Sequence, residues 1–206
     1  MRDVFPKMPE ILREAETENF RLEHFYVSKP ETNRLRLNDL ANNRSEYTGL
    51  KSGIYVRLYD KRSGASKVVM SDTFMERKTN LEFYQHAKGD VLIGGLGLGM
   101  VLLAIQDKPE VNLATVVEIE QEIIDLVLPQ LPLNSKVNVV QDDIFRFATN
   151  HQFDTIYFDI WNEVNAVNWK QMKNLHRRFR KNLKPDGWMS SWRKEDTRNL
   201  HHTHVF

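Results

Sequence analysis

The 206-residue sequence predicts an α/β protein: a doubly wound, mostly parallel sheet with an N-terminal helix and β-hairpin elaboration. Three observations carry this. From Asp90 onward, short runs rich in Val, Ile and Leu alternate with helical stretches. The runs are continuously apolar, which marks strands covered on both faces, as parallel sheets are. A glycine-dense segment, DVLIGGLGLGM at 90–100, joins the first run to the first helix, the position where such sheets place a ligand loop.

Residues 1–88 have a different texture, polar and irregular. PEILREAETENF (9–20) reads as a helix, and a loop rich in Asn, Arg and Ser spans Asn42 to Ser52. GIYVRLYD and SKVVMSD, separated by the turn residues Lys61, Arg62, Ser63 and Gly64, read as a β-hairpin. MERKTNLEFYQHAKG follows as a helix with Gly89 as its stop signal. Then come strand VLIGG, helix LGMVLLAIQ, strand LATVVEI, helix EQEIIDLVLPQL, strand KVNVVQ, a short helical piece, strand DTIYFDI, helix NWKQMKNLHRRFRKNL and strand GWMSSW. The right-handed crossover rule turns this order into about five parallel strands. The division is therefore an N-terminal extension over 1–88 and a ligand-binding domain over 89–206.

Composition bounds the function. The chain is 41% hydrophobic with a net charge of +1, so nothing in its total charge demands a polyanionic partner. It has no cysteine, which removes disulfides, thiolate metal sites and a cysteine nucleophile. No signal-peptide or bilayer-length apolar stretch is present, so the expectation is a cytoplasmic protein without membrane contact. The terminal HHTHVF reads as a solvated tail rather than a metal site, and Arg177, Arg178, Arg180 and Lys181 as an exposed helix face, with nucleic acid possible but not indicated.

The glycines suit a backbone that lies against a ligand. A dinucleotide loop wants G-x-G-x-x-G, whereas Gly95, Gly97 and Gly99 are spaced G-x-G-x-G and Met100 occupies the place of the third small residue. No Gly-Lys-Ser/Thr follows, which removes a Walker loop. Glu118, ending the second strand, has two acceptor oxygens suited to a ribose diol, so the ligand contains a nucleoside; the alternative is an acid in the first turn of the next helix.

IGGLGLG, VVEIE, DDIFRF, FDTIYFDIW and LKPDGW, in this order, resemble the successive motifs of class I S-adenosylmethionine-dependent methyltransferases, over residues 68–192. VVMSDTFMERKTNLEFYQHA gives the likeness a spermidine-synthase flavour. The resemblance implies a Rossmann-like fold with S-adenosylmethionine as cofactor. Gly95, Gly97 and Gly99 would lie under its methionine part, Glu118 would take the ribose, Asp143 the adenine amine (with Asp142 competing), and Ile144 would line the adenine slot. Asp159 matches the acid facing the reacting centre, where it could orient an acceptor amine or take its proton, and Trp161 could lie against a cationic or planar substrate. A helix-capping acid and a core aromatic are the plainer readings of these two.

The chain also departs from the pattern. Gly94 stands where many methyltransferases carry an acid, so Asp72 is a candidate for the cofactor's amino group. Asp72 and Glu76 lie on the segment that should arrive over the cofactor, where they could contact its methionine part or the acceptor; equally, Ser71-Asp72-Thr73 followed by Glu76 fits a capping box. Aminopropyltransferases show a second acid after the fourth strand, and here the residues are Asp159-Ile160-Trp161-Asn162. The chain stops soon after Trp192, a sheet truncated after its fifth strand; the bare edge predicts a homo-oligomer. The readings are a methyltransferase of unknown acceptor, an aminopropyltransferase-like or cofactor-degrading enzyme, or a non-catalytic nucleoside-binding or assembly protein.

Overall fold

A computed structural model describes residues 4–42, 47–62 and 67–203. It contains two sheets. The first is antiparallel, in the order β1 (Ala15–Glu16), β2 (Phe20–Val27), β3 (Gly53–Asp60), β4 (Lys67–Ser71). Helix α1 (Lys29–Ala41) connects β2 to β3, and helices α2 (Phe74–Thr79) and α3 (Leu81–His86) lead out of β4.

The second sheet is parallel throughout, with β5 (Gly89–Gly94), β6 (Val111–Glu118), β7 (Val137–Gln141), β8 (Phe153–Phe158) and β9 (Leu183–Ser191) in the order β7-β6-β5-β8-β9. Helices α4 (Met100–Gln106), α5 (Gln121–Val127) and α6 (Ala166–Phe179) cross between them, and α7 (Lys194–Thr203) follows. This is the doubly wound, Rossmann-like α/β fold. The chain leaves β5 in one direction to β6 and β7, then crosses to β8 and β9 on the other side. That reversal opens a crevice beside the carboxyl end of β5.

The continuous apolar runs behave as their composition dictates. Val91, Leu92 and Ile93 are all buried, and Ile93 lies in register with Val116 on one side and Tyr157 on the other. Helix α4 is buried nearly all round, which explains why it shows no polar face.

The first half differs from its sequence reading at several points. PEILREAETENF is not a helix: it forms a single 3-10 turn at Met8–Glu10, then β1 and the start of β2. A turn at Thr17 breaks it, with Phe20 N–H donating to Thr17 Oγ1 at 3.1 Å and Thr17 N–H to the Phe20 carbonyl at 2.9 Å. Burial of Met8, Leu12, Phe20 and Leu22 outweighs a weak local propensity. The N-terminal helix is instead α1, started by Ser28, whose side chain accepts from Glu31 N–H at 3.3 Å, with Pro30 in its first turn.

The helix read over 75–89 is two helices. Asn80, fully buried, ends α2 and begins α3, while Gly89 adopts φ +61° and opens β5. The short helical piece after β7 is a turn, in which Arg146 and Phe147 N–H both reach the Asp143 carbonyl at 2.7 Å. The sheet does not end the described chain, since α7 follows β9 and packs against α6. The hairpin β3–β4 is antiparallel as read; its Ser63 and Gly64, part of the Asn42 to Ser52 loop and the terminal histidine side chains lie outside the described residues.

Candidate functional site

The crevice at the carboxyl ends of the parallel strands is a cavity of about 410 Å³, within the range of small-molecule sites. Its floor comes from the parallel sheet: Gly95, Gly97, Glu118, Asp143, Ile144, Asp159 and Trp161. The opposite wall comes from the antiparallel sheet and α2: Phe20, Asp60, Arg62, Met70 and Glu76. One space thus gathers most of the candidate residues, Glu76 from the segment over the cofactor among them, and adds Phe20, Asp60, Arg62 and Met70, which sequence reasoning did not place there.

Gly95 has φ +99°, and a Cβ on it would fall 2.3 Å from the Asp159 carbonyl oxygen. Only glycine lets the β5 loop approach the end of β8 this closely. Gly97, at φ +52°, is met by Met70 Sδ, which also lies 3.5 Å from the Leu98 N–H. Gly99 does not line the cavity; it sits left-handed at the start of α4, against Leu131.

Glu118 ends β6 and is 6% exposed. Its Oε2 accepts from Leu96 N–H at 2.8 Å and its Oε1 from Glu120 N–H at 3.0 Å. Burial pushes its carboxyl above the usual carboxylate range, while these N–H donors pull the other way. Each oxygen keeps a lone pair for a further donor, so the acid both clamps the glycine loop and can take a diol. It is not a capping acid of α5, whose N-cap is Glu120.

Of the two neighbouring acids, Asp143 lines the cavity and Asp142 does not. Asp142 Oδ1 accepts from Asp143 N–H at 2.7 Å, and Asp143 Oδ1 from Phe145 N–H at 2.9 Å. Ile144 packs beside Gly94, in contact range of a Cβ there.

Asp72 does not reach the cavity. It is 1% exposed, and its carboxylate accepts from Val56 N–H at 2.7 Å and pairs with Arg77 at 3.2 Å, which fastens α2 to β3. The capping box does not form either: the N-cap of α2 is Thr73, without a side-chain cap bond, and its hydroxyl pairs with Ser71 at 3.0 Å. This leaves Glu76 free to turn inward, where it is 7% exposed.

Glu76 and Asp159 face the same cavity from α2 and from the end of β8. Burial raises both carboxyls above their ordinary range, and the Asp159 charge raises Glu76 further. Asn80 lies beside both: its Oδ1 accepts from Tyr157 Oη at 3.0 Å and its Nδ2 donates to the Glu76 carbonyl at 3.0 Å, and its amide works against the burial that raises Asp159. Asp159 is no helix cap, since α6 is capped by Asn165. Trp161 is 8% exposed, its Nε1–H donating to Gln171 at 2.7 Å, and it forms a fixed wall.

Arg62 joins the two halves. It pairs with Asp60 at 2.7 Å and with Glu120 at 2.7 Å, and its guanidinium lies 4.9 Å from the Phe20 ring centroid. On the far side of the hairpin Lys67 pairs with Glu163 at 2.5 Å. No sequence signal marked these residues, because each is an ordinary charged or apolar strand residue until the sheets meet. Glu76 alone among the residues of this wall is marked by the sequence, together with Asp72, as a residue arriving over the cofactor.

The basic residues Arg177, Arg178, Arg180 and Lys181 are exposed and lie away from the cavity lining. Trp188 stacks on His86 at 4.6 Å and Trp192 is buried, both as packing residues. Among the described residues no group of His, Cys, Asp or Glu is arranged to hold a metal, and no helix is long and apolar enough to cross a membrane.

No family model and no curated protein matches the chain. Solved structures similar to it include the N-methyltransferase NodS from Bradyrhizobium japonicum WM9, at 23% identity over 62% of this chain and 72% of that one, TM-score 0.46. A DhpI complex with S-adenosylhomocysteine aligns at 19% identity, covering 56% of this chain and 55% of that one, TM-score 0.46. An S-adenosylmethionine-dependent methyltransferase from Clostridium acetobutylicum ATCC 824 aligns at 17% identity, covering 55% and 46%, TM-score 0.42. The chain thus spans about half the length of the last two.

Proposed function

We propose that the chain is an S-adenosylmethionine-dependent methyltransferase. The observation that carries this is the convergence of Gly95, Gly97, Glu118, Asp143, Ile144 and Asp159 on one cavity at the carboxyl ends of β5, β6, β7 and β8. Side-chain-free backbone, a diol-binding acid, a polar–apolar pair at the third strand and an acid at the fourth are what an adenosine with a thioether arm requires.

In this reading Glu118 takes the ribose hydroxyls, Asp143 the adenine amine with Ile144 against the ring, and Gly95 and Gly97 support the methionine part. The cofactor brings an activated sulfonium methyl group. The protein's own work is to hold an acceptor in line and to keep water out. Trp161, Ile160 and Met70 supply apolar walls for that, and Asp159 is placed to orient the acceptor or accept its proton. Gly99 serves the loop by starting α4 rather than by touching a ligand.

Calorimetric titration with S-adenosylmethionine, S-adenosylhomocysteine, the decarboxylated cofactor, methylthioadenosine and NAD tests the reading. Tightest binding of the first two supports methyl transfer. Preference for the decarboxylated form or methylthioadenosine would move the assignment to aminopropyl transfer, and failure of every nucleoside to bind would remove the enzyme assignment.

A further inference from the structure

We propose that the exposed face of α6, with the 3-10 turn Arg180–Asn182 that continues it, binds the phosphate backbone of a nucleic acid strand. The surface lies outside the crevice, and the inference does not depend on what the crevice holds.

The distribution of charge comes first. Between Glu163 and Asp186 the chain carries seven lysines and arginines and no acid, although its net charge is +1. The rest of the chain is therefore net negative, and one segment holds the whole positive excess. The fold turns that segment into a face. Met172, Leu175 and Phe179 are buried, which leaves Lys170, Lys173 and Arg177 exposed at i, i+3 and i+7, followed by the exposed Arg180 and Lys181. At helical rise the stripe from Lys170 to Lys181 is roughly 17 Å long. Phosphates advance about 3.4 Å per nucleotide along one strand, so the stripe matches about five of them.

Pairing comes second. Exposed cations elsewhere are met by acids: Lys7 by Glu10, Lys61 by Glu16, Lys67 by Glu163 and Arg198 by Glu195. Among the described residues no acid pairs with any of the five cations of the stripe; Lys173 lies 5.5 Å from the Trp169 ring centroid, and Arg177 donates to Asn174 Oδ1 at 3.4 Å. Like charges held in a row repel one another, and a row of phosphates relieves that repulsion. A bilayer surface fits less well, because a helix lying in it needs its apolar face free, and that face of α6 is packed in the core.

The third observation is that the frame under these cations is fixed. Arg178 donates to the carbonyls of Arg146 and Phe147 at 2.8 and 2.7 Å, and Asn182 Nδ2 to those of Thr149 and His151 at 2.8 and 2.9 Å. These bonds fasten the loop after β7 to the end of the stripe and place Arg146, its side chain 86% exposed, beside it. Between loop and turn lies a cavity of about 200 Å³ with Arg178 and Lys181 among its lining and Phe147 and Phe179 as apolar walls, a recess for one contact of a strand lying on the open row. At its other end the stripe adjoins the crevice, since Gln171 on α6 holds the indole N–H of the wall residue Trp161 at 2.7 Å. A strand bound along α6 thus leads to the mouth of the crevice, on a support that needs little ordering.

The test is fluorescence anisotropy of the full chain with a labelled single-stranded RNA and a labelled DNA duplex, each longer than the stripe and without added cofactor. At least one should bind, and its affinity should fall roughly a hundredfold between about 0.05 M and 0.2 M salt, as about five neutralised phosphates require. Lys173→Gln, Arg177→Gln and Lys181→Gln combined in one chain should weaken binding by about tenfold or more and shrink the salt effect to less than about tenfold. Removing the same charge from exposed cations of the other half, by Lys29→Gln, Arg34→Gln and Lys51→Gln, should change binding less than about threefold; thermal melts confirm that both variants fold. Absence of binding to either nucleic acid at low salt overturns the proposal. Equal losses in the two variants overturn it as well, because total charge rather than the stripe would then be responsible. Polyglutamate or phosphatidylserine vesicles bound as tightly as the nucleic acid would hand the surface to an acidic protein or a membrane instead.

Discussion

The two sheets build one cavity by opposite means. The parallel sheet contributes backbone geometry and strand-end acids, each at a position the fold determines: Gly95 and Gly97 after β5, Glu118 ending β6, Asp159 after β8. The antiparallel sheet and α2 contribute side chains, Phe20, Met70 and Glu76, whose roles exist only once the sheets are docked. A binding function can therefore be written into a fold's connection rules on one side and into docking on the other, and mutations should separate the two.

The largest separation is expected at Glu118. Replacing it with Ala removes the diol acceptor and also strands the N–H groups of Leu96 and Glu120. Nucleoside affinity should fall by about 2–3 kcal/mol, roughly 30- to 160-fold, by calorimetry with S-adenosylhomocysteine. Unchanged affinity would place the ribose elsewhere. An equal loss on removal of Phe20 would erase the contrast between the two walls.

The glycines give the next contrast within one loop. An alanine at Gly95 meets backbone, the Asp159 carbonyl at 2.3 Å, with φ at +99°. At Gly97 it meets the end of a flexible side chain, Met70 Sδ at 2.4 Å, with φ at +52°. Gly95→Ala should cost about 2–4 kcal/mol of stability and Gly97→Ala about 1 kcal/mol, compared by urea unfolding. Equal costs would mean that the hairpin over Gly97 is as unyielding as the sheet.

The same division governs what the residues alone disclosed. The parallel half was legible because its strands are buried on both faces and its crossovers are local, so VLIGG, LATVVEI and DTIYFDI need no partner to be recognised. β2 was not, because one face of it carries Arg21, Glu23 and Phe25, satisfied only across the sheet. Glu23 pairs with Arg57 at 2.5 Å, and Arg57 lies 4.5 Å from the Phe25 ring. Read singly these are polar irregularities; read in register they are a ladder. Asp72 shows the limit at the site. Its sequence position beside Glu76 is right, yet only the docked Val56 and Arg77 reveal that its carboxylate is structural.

Titration distinguishes the halves further. Glu76 and Asp159 have raised folded-state pKa values, so the folded protein binds more protons than the unfolded chain once pH exceeds the usual carboxylate range. Their burial is tolerated at acid pH, and stability is lost as pH rises through neutrality. His176, buried against Phe158 and hydrogen-bonded to Ser191 at 2.8 Å, is held down to about 4. It acts in the opposite direction, removing stability as pH falls from about 6.5 towards 4. Glu76→Gln should therefore be more stable than wild type at pH 8, by about 1–2 kcal/mol, with the gap closing by pH 5 in paired thermal melts. A gap independent of pH would mean that folding does not shift the Glu76 carboxyl.

The smallest effect belongs to the joint itself. Arg62 is about half exposed, with side-chain accessibility of 48%, and its pairs with Asp60 and Glu120 are screened by solvent. Arg62→Ala should cost no more than about 1 kcal/mol of stability, and the difference from wild type should shrink between 0.05 M and about 0.5 M salt. Its effect on ligand should be kinetic. With one of the ion pairs across the mouth gone and Lys67–Glu163 and the Asn19–Glu122 bonds left, S-adenosylhomocysteine should dissociate severalfold faster, while Glu118 still sets most of the affinity. Stopped-flow displacement measures this directly. An unaltered release rate would show that the antiparallel wall stays closed without Arg62, and that docking rests on the buried contacts of Phe20 rather than on the ion pairs across the mouth.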